Sequence, residues 1–327
     1  MLKLEFKKIS EDTLQVMQDA LSSEHDYYDD AVNAIQELLP SGDIHVLNSA
    51  NSCLVALAHC LPEPILVTDM GGWNGFNKSC ELFNKKVSQI VTDDGLINIE
   101  ILDNYFKDND VKSFYITSLT GYTAKQPLKE ISELCNIHEV ILIVDISGSV
   151  GDEKLTKYGD IQVSSTGTPK IINIENGGFI NNITGKIVLN KHLVKTLKAD
   201  NITCAGITNE ITKAHEIEEK TEKTNQYLKN NLKESLEEYP QYNIIHPKHA
   251  GLNTMITAES KSKAKRLAYN IRQRIDVNKN IITTGPQYNR IKKACVIIEV
   301  KNLDVKCLTR ENMDKISRII IEEISKM

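Results

Sequence analysis

Two patterns of hydrophobic residues alternate between positions 44 and 205, and each predicts a different element. Residues 114–117 and 140–144 are short, continuous apolar runs, which are typical of strands buried on both faces of a parallel sheet. Between them, residues 128–135 are apolar at every third position, which predicts an amphipathic helix. A strand, a helix and a second strand in this order form a crossover unit, so the pattern predicts an α/β fold.

The same alternation extends toward the N-terminus. Residues 44–47 and 65–68 predict two further short strands, and the apolar stretch 53–60 predicts a helix between them. We therefore expect residues 44–205 to form one large three-layer α/β domain around a mostly parallel sheet.

The pattern changes in the last third of the chain. Between 207 and 232, apolar and threonine residues recur at steps of three or four amid dense charge, which predicts one long exposed helix ending before Tyr239. Strands are predicted at 243–245 and 295–300, and a closing helix at 311–327. These elements are typical of a smaller α+β domain.

The domain organisation follows from this change of pattern. We expect residues 206–327 to form the small domain, and residues 1–43 to form an N-terminal helical segment that packs with it. The length of 327 residues supports this division, because domains of about 150 residues give a prior of roughly two domains.

Composition excludes several classes of protein. Hydrophobic residues make up 41% and charged residues 25% of the chain, which is typical of a globular protein and not of a disordered one. The net charge of −5 shows no basic excess that would indicate a nucleic-acid partner or an anionic membrane surface. No apolar stretch approaches the ~18 residues of a membrane-spanning helix.

The N-terminus and the cysteines indicate a compartment. The first residues carry charges at every second or third position and lack the apolar run of a signal peptide. The seven cysteines are scattered and never form a C-x-x-C pair, so neither a disulfide framework nor a metal site is expected. We predict a cytoplasmic protein without a metal.

The clearest candidate chemistry lies between residues 140 and 178. Asp145 ends a predicted strand, and Lys170 follows the next segment. The ends of parallel strands are where open α/β sheets bind ligands, so both side chains are expected to face one crevice. Burial there lowers the pKa of a lysine and makes it a Schiff-base nucleophile. Ser165 lies in a Ser/Thr/Gly-rich turn, a type that binds phosphate.

These residues resemble fold-type I pyridoxal-phosphate enzymes, and most closely the DegT-type aminotransferase family. The resemblance rests on spacing: five residues separate Asp160 from Ser165, and five more separate Ser165 from Lys170. Asn176 then follows Lys170 by six residues and precedes Gly177 and Gly178. Several spacings that agree over about forty residues are more specific than any single one.

The resemblance implies a pyridoxal 5′-phosphate (PLP) cofactor and a role for each of three residues. Lys170 would carry the cofactor as an internal aldimine and act as general acid and base. Asp145 would keep the pyridine nitrogen protonated, which the electron sink requires. Ser165 would bind the cofactor phosphate.

Four further site residues follow from the resemblance outside this segment. Ala50 and Asn51, at a predicted strand-to-helix junction, stand where the family binds the cofactor phosphate. Trp73, the only tryptophan, stands where an aromatic ring stacks on the pyridine. Arg290 precedes a predicted strand, where an arginine commonly clamps the substrate carboxylate. An ion-pair role for Arg290 is the alternative.

The sequence departs from the family in three places. Ala50 and Asn51 replace the Gly-Thr pair of the phosphate turn. Gly148 stands where members usually have a glutamine or histidine that bonds the phenolic oxygen of the cofactor. Asn176 replaces an acidic residue before the glycine pair. These departures argue against the usual nucleotide-sugar substrate.

The resemblance therefore implies a homodimeric aminotransferase that acts on an amino acid or on an amino or keto sugar. No nucleic-acid or membrane partner is expected. Two alternatives stay open: a PLP-dependent lyase or sulfur or selenium transferase, and a catalytically silent binding protein with the same fold.

Overall fold

The computed structural model describes residues 1–287 and 290–327. The strands are β1 (Leu2–Lys3), β2 (Asp43–Leu47), β3 (Ile65–Thr68), β4 (Val87–Ile90), β5 (Ser113–Thr117), β6 (Leu119–Thr120), β7 (Ala124–Lys125), β8 (Ile141–Asp145), β9 (Ile161–Ser165), β10 (Gly178–Asn182), β11 (Thr254–Thr257), β12 (Ile275–Asp276), β13 (Ile282–Gln287) and β14 (Ile291–Ile298). The helices are α1 (Glu11–Asp19), α2 (Tyr28–Leu38), α3 (Ala50–Cys60), α4 (Gly75–Leu82), α5 (Ile99–Asp108), α6 (Leu128–Ile137), α7 (Lys191–Thr196), α8 (Asn201–Glu210), α9 (Ala214–Ser235), α10 (Lys261–Arg272) and α11 (Arg310–Ile324), with 3-10 turns at Ile211–Lys213, Leu236–Glu238, Val300–Asn302 and Val305–Cys307.

The large sheet has seven strands in the order β2-β10-β9-β8-β5-β3-β4. β9, β8, β5, β3 and β4 pair in parallel, and β10 is antiparallel to both of its neighbours. The continuous apolar runs are explained by burial on two sides. In β8, Leu142 and Val144 belong to the core on one face, and Ile143 belongs to the core on the other. The three-layer α/β fold predicted from the sequence is confirmed.

A second core surrounds a three-stranded antiparallel sheet in the order β11-β14-β13. Apolar residues of α9, α10 and α11 pack there, among them Leu228, Leu267 and Ile316. In the described part of the chain, no helix is both long enough and apolar enough to cross a membrane.

The predicted helix over 207–232 is interrupted. α8 ends at Glu210, a 3-10 turn follows, and α9 begins at Ala214. The two parts pack on different cores: Ile207 belongs to the core of the large sheet, and Leu232 belongs to the second core. One straight helix could not serve both, so the break is a consequence of packing that periodicity does not show.

Two other expectations differ from the structure. Residues 243–245 form an isolated bridge between Ile244 and Ile256 instead of a strand. The segment 1–43 divides between the cores: Leu4 and Phe6 lie in the second core, while α2 buries Ala31 and Ile35 in the core of the large sheet. Only the first residues of that segment therefore pack as expected with the smaller sheet.

Candidate active site

A cavity of about 400 Å³ opens where the parallel strands end. Its lining includes every site residue predicted from the sequence: Ala50, Asn51, Trp73, Asp145, Ser165, Lys170 and Arg290. The sheet explains part of this convergence. β8 and β9 are parallel neighbours, and Asp145 and Ser165 are their last residues, so both side chains reach the same edge of the sheet.

Asp145 is held by neutral hydrogen-bond donors. The Tyr115 hydroxyl donates to Oδ2 of Asp145 over 3.2 Å, and the Ser147 backbone N–H donates to Oδ1 over 2.9 Å. Burial, together with the Asp145 carboxylate, raises the pKa of Tyr115 well above its ordinary value, so the phenol keeps its proton. The carboxylate is thereby fixed in orientation.

The N-terminus of α3 forms the opposite wall of the cavity. Ser49 caps the helix by accepting a hydrogen bond of 3.1 Å from the Ser52 N–H. N–H groups in the first helical turn have no acceptor within the helix, and the helix dipole favours an anion near them. Ala50 and Asn51 belong to this turn. The position therefore suits a phosphate.

Trp73 is connected to the same turn. Its indole N–H donates to Oδ1 of Asn51 over 3.1 Å, and the residue is 51% exposed. An aromatic face beside a helix N-terminus can cover a planar ring whose phosphate binds the helix.

Lys170 lies deeper, and its ammonium group donates a hydrogen bond to the Tyr122 hydroxyl. Burial lowers the pKa of Lys170, as expected for a crevice, but Tyr122 and the Asp145 carboxylate act in the opposite direction. The net shift of the pKa is upward. The lowered lysine pKa expected from burial alone is therefore not what the cavity produces, because the neighbours of Lys170 outweigh desolvation.

Tyr122 was not predicted as a site residue. It adopts a φ of +64°, in the left-handed region that side chains other than glycine rarely occupy. Two backbone hydrogen bonds hold this conformation: the Leu252 and Asn253 N–H groups both donate to the Tyr122 carbonyl, over 2.8 and 2.9 Å. Strained backbone of this kind occurs at functional sites.

Gly148 and Tyr122 share one space. A Cβ atom added at Gly148 would lie 2.8 Å from Cε1 of Tyr122 and 3.0 Å from Cδ1 of Leu119. The tyrosine ring therefore fills the volume that a glutamine or histidine at position 148 would need. The ring reaches this space from a different part of the chain, the turn between β6 and β7.

Arg290 lines the cavity, but its guanidinium group is engaged. It donates to both carboxylate oxygens of Glu299, over 2.7 and 2.9 Å, and its Nε donates to the Gly121 carbonyl over 3.2 Å. Burial raises the pKa of Glu299, yet Arg290 outweighs burial and the pKa falls to about 2. The ion-pair role that the sequence analysis gave as the alternative for Arg290 is therefore present. Its role as a clamp for the substrate carboxylate stays a prediction.

Lys301 is a second cavity residue that sequence reasoning missed. It is 7% exposed, and its ammonium donates to the Pro169 carbonyl over 3.1 Å and to Oδ1 of Asn302 over 2.8 Å. A signal was available: Glu299 and Lys301 alternate with apolar residues directly after the apolar run that ends β14. Charges in such a pattern indicate burial with partners.

The architecture is that of the fold-type I PLP-dependent transferases. Solved structures with this fold include a serine palmitoyltransferase from S. paucimobilis with bound PLP. That enzyme is 12% identical with a TM-score of 0.77, over 99% of this chain and 88% of that one. A NifS-like protein from Rickettsia africae is 16% identical with a TM-score of 0.73, over 100% of both chains.

A third similar structure is PseC from Helicobacter pylori, an aminotransferase of pseudoaminic acid biosynthesis. It is 14% identical with a TM-score of 0.73, over 98% of each chain. At such identities the likeness shows a common fold. A family model described as the MJ1341 family C-terminal domain matches residues 215–321, less than half of the chain. No curated protein matches the sequence.

Proposed function

We propose that the protein is a PLP-dependent transferase, and that it transfers an amino group to or from a small amino substrate. One observation carries the proposal: Asp145 and Lys170 line one cavity at the ends of neighbouring parallel strands, across from the N-terminus of α3. A carboxylate, an amine and an anion site in this arrangement match the three recognised parts of PLP, its ring nitrogen, its aldehyde and its phosphate.

The residues present fit the cofactor. Cavities of roughly 300–1,000 Å³ hold small ligands, and this one has about 400 Å³. The present donors to Asp145 are neutral, so its carboxylate can accept a further hydrogen bond from a protonated ring nitrogen. Ser165 and the first turn of α3 offer hydroxyl and N–H donors to a phosphate. When bound, PLP supplies an electron sink for charge that develops at the substrate carbon.

Each side chain then has a defined task. The Lys170 amine would hold the cofactor and would serve as the group that moves a proton to and from the substrate carbon. The Tyr122 hydroxyl orients that amine, since the two groups are hydrogen-bonded. The Asp145 carboxylate holds the proton on the ring nitrogen, and Trp73 excludes water from one face of the ring.

The position of Tyr122 favours a catalytic protein over a silent one. A relative that had lost its chemistry would have no need for a polar replacement at the space left by Gly148. Here a hydroxyl reaches Lys170 from that space, at the cost of a strained backbone. A homodimer and a cytoplasmic location complete the proposal and rest on the sequence resemblance and the cysteine pattern.

The test is covalent attachment of PLP. The wild-type protein mixed with PLP is expected to gain a visible absorbance band that borohydride makes permanent, and mass spectrometry is expected to find the added group on Lys170. Lys170→Ala is expected to lose the band. Lys7→Met is the matched control, because Lys7 contacts the Lys170 carbonyl over 3.1 Å but does not line the cavity.

A second signal separates binding from attachment. Trp73 is the only tryptophan and lines the cavity, so a cofactor there quenches the whole tryptophan emission of the protein. We expect quenching in Lys170→Ala without a covalent product. An absence of both signals in wild type would contradict the proposal. Attachment without reaction with any amino donor would favour the lyase or sulfur-transfer alternative.

A further inference from the structure

Three cations surround the ring of Tyr122. The distance to the ring centroid is 5.0 Å from Nζ of Lys170, 5.4 Å from Cζ of Arg290 and 4.6 Å from Nζ of Lys301. Among the residues that the structure describes, only two carboxylates face these cations: Asp145 faces Lys170, and Glu299 faces Arg290. Glu175 also lines the cavity, but it is exposed. The interior of the site therefore has an excess of positive charge.

Two of the three cations already have a task. Arg290 is paired through both oxygens of Glu299, whose other hydrogen bonds come from Thr283 and Asn253, so releasing the arginine would break a satisfied buried network. Lys170 is the cofactor lysine of the proposed function. Lys301 is left: among residues 1–287 and 290–327 it forms no ion pair.

Lys301 has one ammonium proton to spare. An ammonium has three donors, and those of Lys301 toward Pro169 and Asn302 account for two. The Tyr122 ring lies beside the same ammonium group, with its centroid 4.6 Å from Nζ, and Lys301 lines the cavity. A buried cation without a counter-ion is unfavourable, and an anion that supplies one oxygen to it would remove that cost.

We infer that Lys301, and not Arg290, binds a carboxylate group of the substrate. The inference rests on the proposed function and deepens it, since it makes the substrate a small amino acid instead of a neutral amino sugar. The carboxylate would approach Lys301 from the cavity, beside the Tyr122 ring. Lys301 is then a specificity-determining residue for the substrate.

The charge state of Lys301 supports this geometry. Chiefly through burial, and despite Glu299, its pKa lies well below the ordinary value, with Lys170, Arg290 and Lys7 adding to the decrease. The pKa of Lys170, by contrast, is raised. An anion beside Lys301 favours its protonated form, so binding is coupled to proton uptake. Affinity for a carboxylate is therefore expected to fall as rising pH removes that proton.

The experiment compares a carboxylate with its uncharged amide. Propionate and propionamide are added to the protein with and without PLP, and the midpoint of thermal unfolding is measured. Propionate is expected to stabilise wild type, and propionamide is not. In Lys301→Met the apparent affinity for propionate is expected to fall about tenfold or more, the value of one charge-assisted hydrogen bond.

Lys7→Met is again the matched control. Lys7 and Lys301 donate to successive carbonyls, those of Lys170 and Pro169, so loss of either removes a similar backbone contact. Only Lys301 lines the cavity. Equal losses of propionate binding in Lys7→Met and Lys301→Met would reduce Lys301 to a backbone contact and overturn the inference. Unchanged binding in Lys301→Met would assign the carboxylate elsewhere, with the same consequence.

Two measurements keep the test decisive if Lys301→Met does not fold. Lys301→Arg keeps the charge and is expected to keep binding of propionate. In wild type, the affinity for propionate is expected to fall with rising pH, and an affinity independent of pH would overturn the inference. Because the titration without PLP needs no cofactor, failure of PLP attachment and failure of carboxylate binding are observed separately.

Discussion

Two clusters of buried charge lie where residues 206–327 contact residues 44–205, and they differ in charge balance. Arg290 and Glu299 form one pair at 2.7 Å, next to the turn of Tyr122. In the second cluster a single cation, Lys125, meets Asp152 at 2.6 Å, Glu218 at 4.0 Å and Glu222. In the described chain, no other cation lies within 4.0 Å of those three carboxylates.

The neighbouring charges, and not the degree of burial, decide whether the pKa of each glutamate is lowered or raised. Glu299 and Glu218 are 3% and 4% exposed. Burial raises the pKa of both, but Arg290 brings that of Glu299 down to about 2. For Glu218, burial and the neighbouring Glu222 act together and raise the pKa to about 8. The pair beside the cavity is therefore a permanent charge pair, while the second cluster takes up a proton near neutral pH.

The largest expected effect comes from breaking the balanced pair. Glu299→Gln leaves Arg290 buried without a counter-charge, and we expect the free energy of unfolding to fall by about 3–5 kcal/mol. Urea denaturation followed by circular dichroism measures this. The double variant Glu299→Gln, Arg290→Met is the control, since it removes both charges. It is expected to recover most of the loss, and a double variant as unstable as the single one would contradict this account.

The sequence predicted much of the fold because the large sheet is built from local signals. Buried strands need continuous apolar runs, so β3 and β8 are visible in the chain itself. The break between α8 and α9 is not, since it depends on which core each half contacts. Periodicity describes one face of a helix and does not identify what that face will meet.

The residues of the candidate site likewise fall into those that the sequence could predict and those that it could not. Asp145 and Ser165 come from neighbouring strand ends, so spacing along the chain predicts that they meet. Tyr122 reaches the cavity from the turn between β6 and β7, and Lys301 reaches it from the segment after β14. Glu299 does not line the cavity but pairs with Arg290, which does. No local pattern encodes contacts between segments so far apart in sequence.

In the cluster around Lys125, where carboxylates outnumber cations, removing a carboxylate is expected to stabilise the protein instead of destabilising it. A carboxyl group whose pKa rises from 4.5 to about 8 on folding binds its proton more tightly in the folded state. Stability is then lost as pH rises through that window, and the penalty is complete above it. Glu218→Gln removes the titrating group. At alkaline pH we therefore expect the free energy of unfolding of the variant to exceed that of wild type by roughly 2 kcal/mol.

Urea denaturation across the pH range measures this difference. It is expected to shrink as the pH falls through 4.5, because only below that value is the wild-type carboxyl protonated in both the folded and the unfolded state. Glu219→Gln, on the exposed neighbouring position of α9, is the control and is expected to show no such profile. A destabilised Glu218→Gln at alkaline pH would mean that Lys125 balances the cluster after all.

The smallest expected effect comes from removing one of the neutral hydrogen-bond donors to Glu299, the partner of Arg290. The Thr283 hydroxyl donates to Oε1 of Glu299 over 2.9 Å, and valine has the same shape without that donor. We expect Thr283→Val to lower the free energy of unfolding by about 1.5 kcal/mol, as for a hydrogen bond to a charged group. Thr284→Val is the control, because successive side chains of a strand point to opposite faces. Equal losses in the two variants would show that β propensity, and not the bond to Glu299, sets the change. A loss confined to Thr283→Val would show that Glu299 depends on neutral donors as well as on Arg290, which is what keeps the arginine from turning toward a substrate.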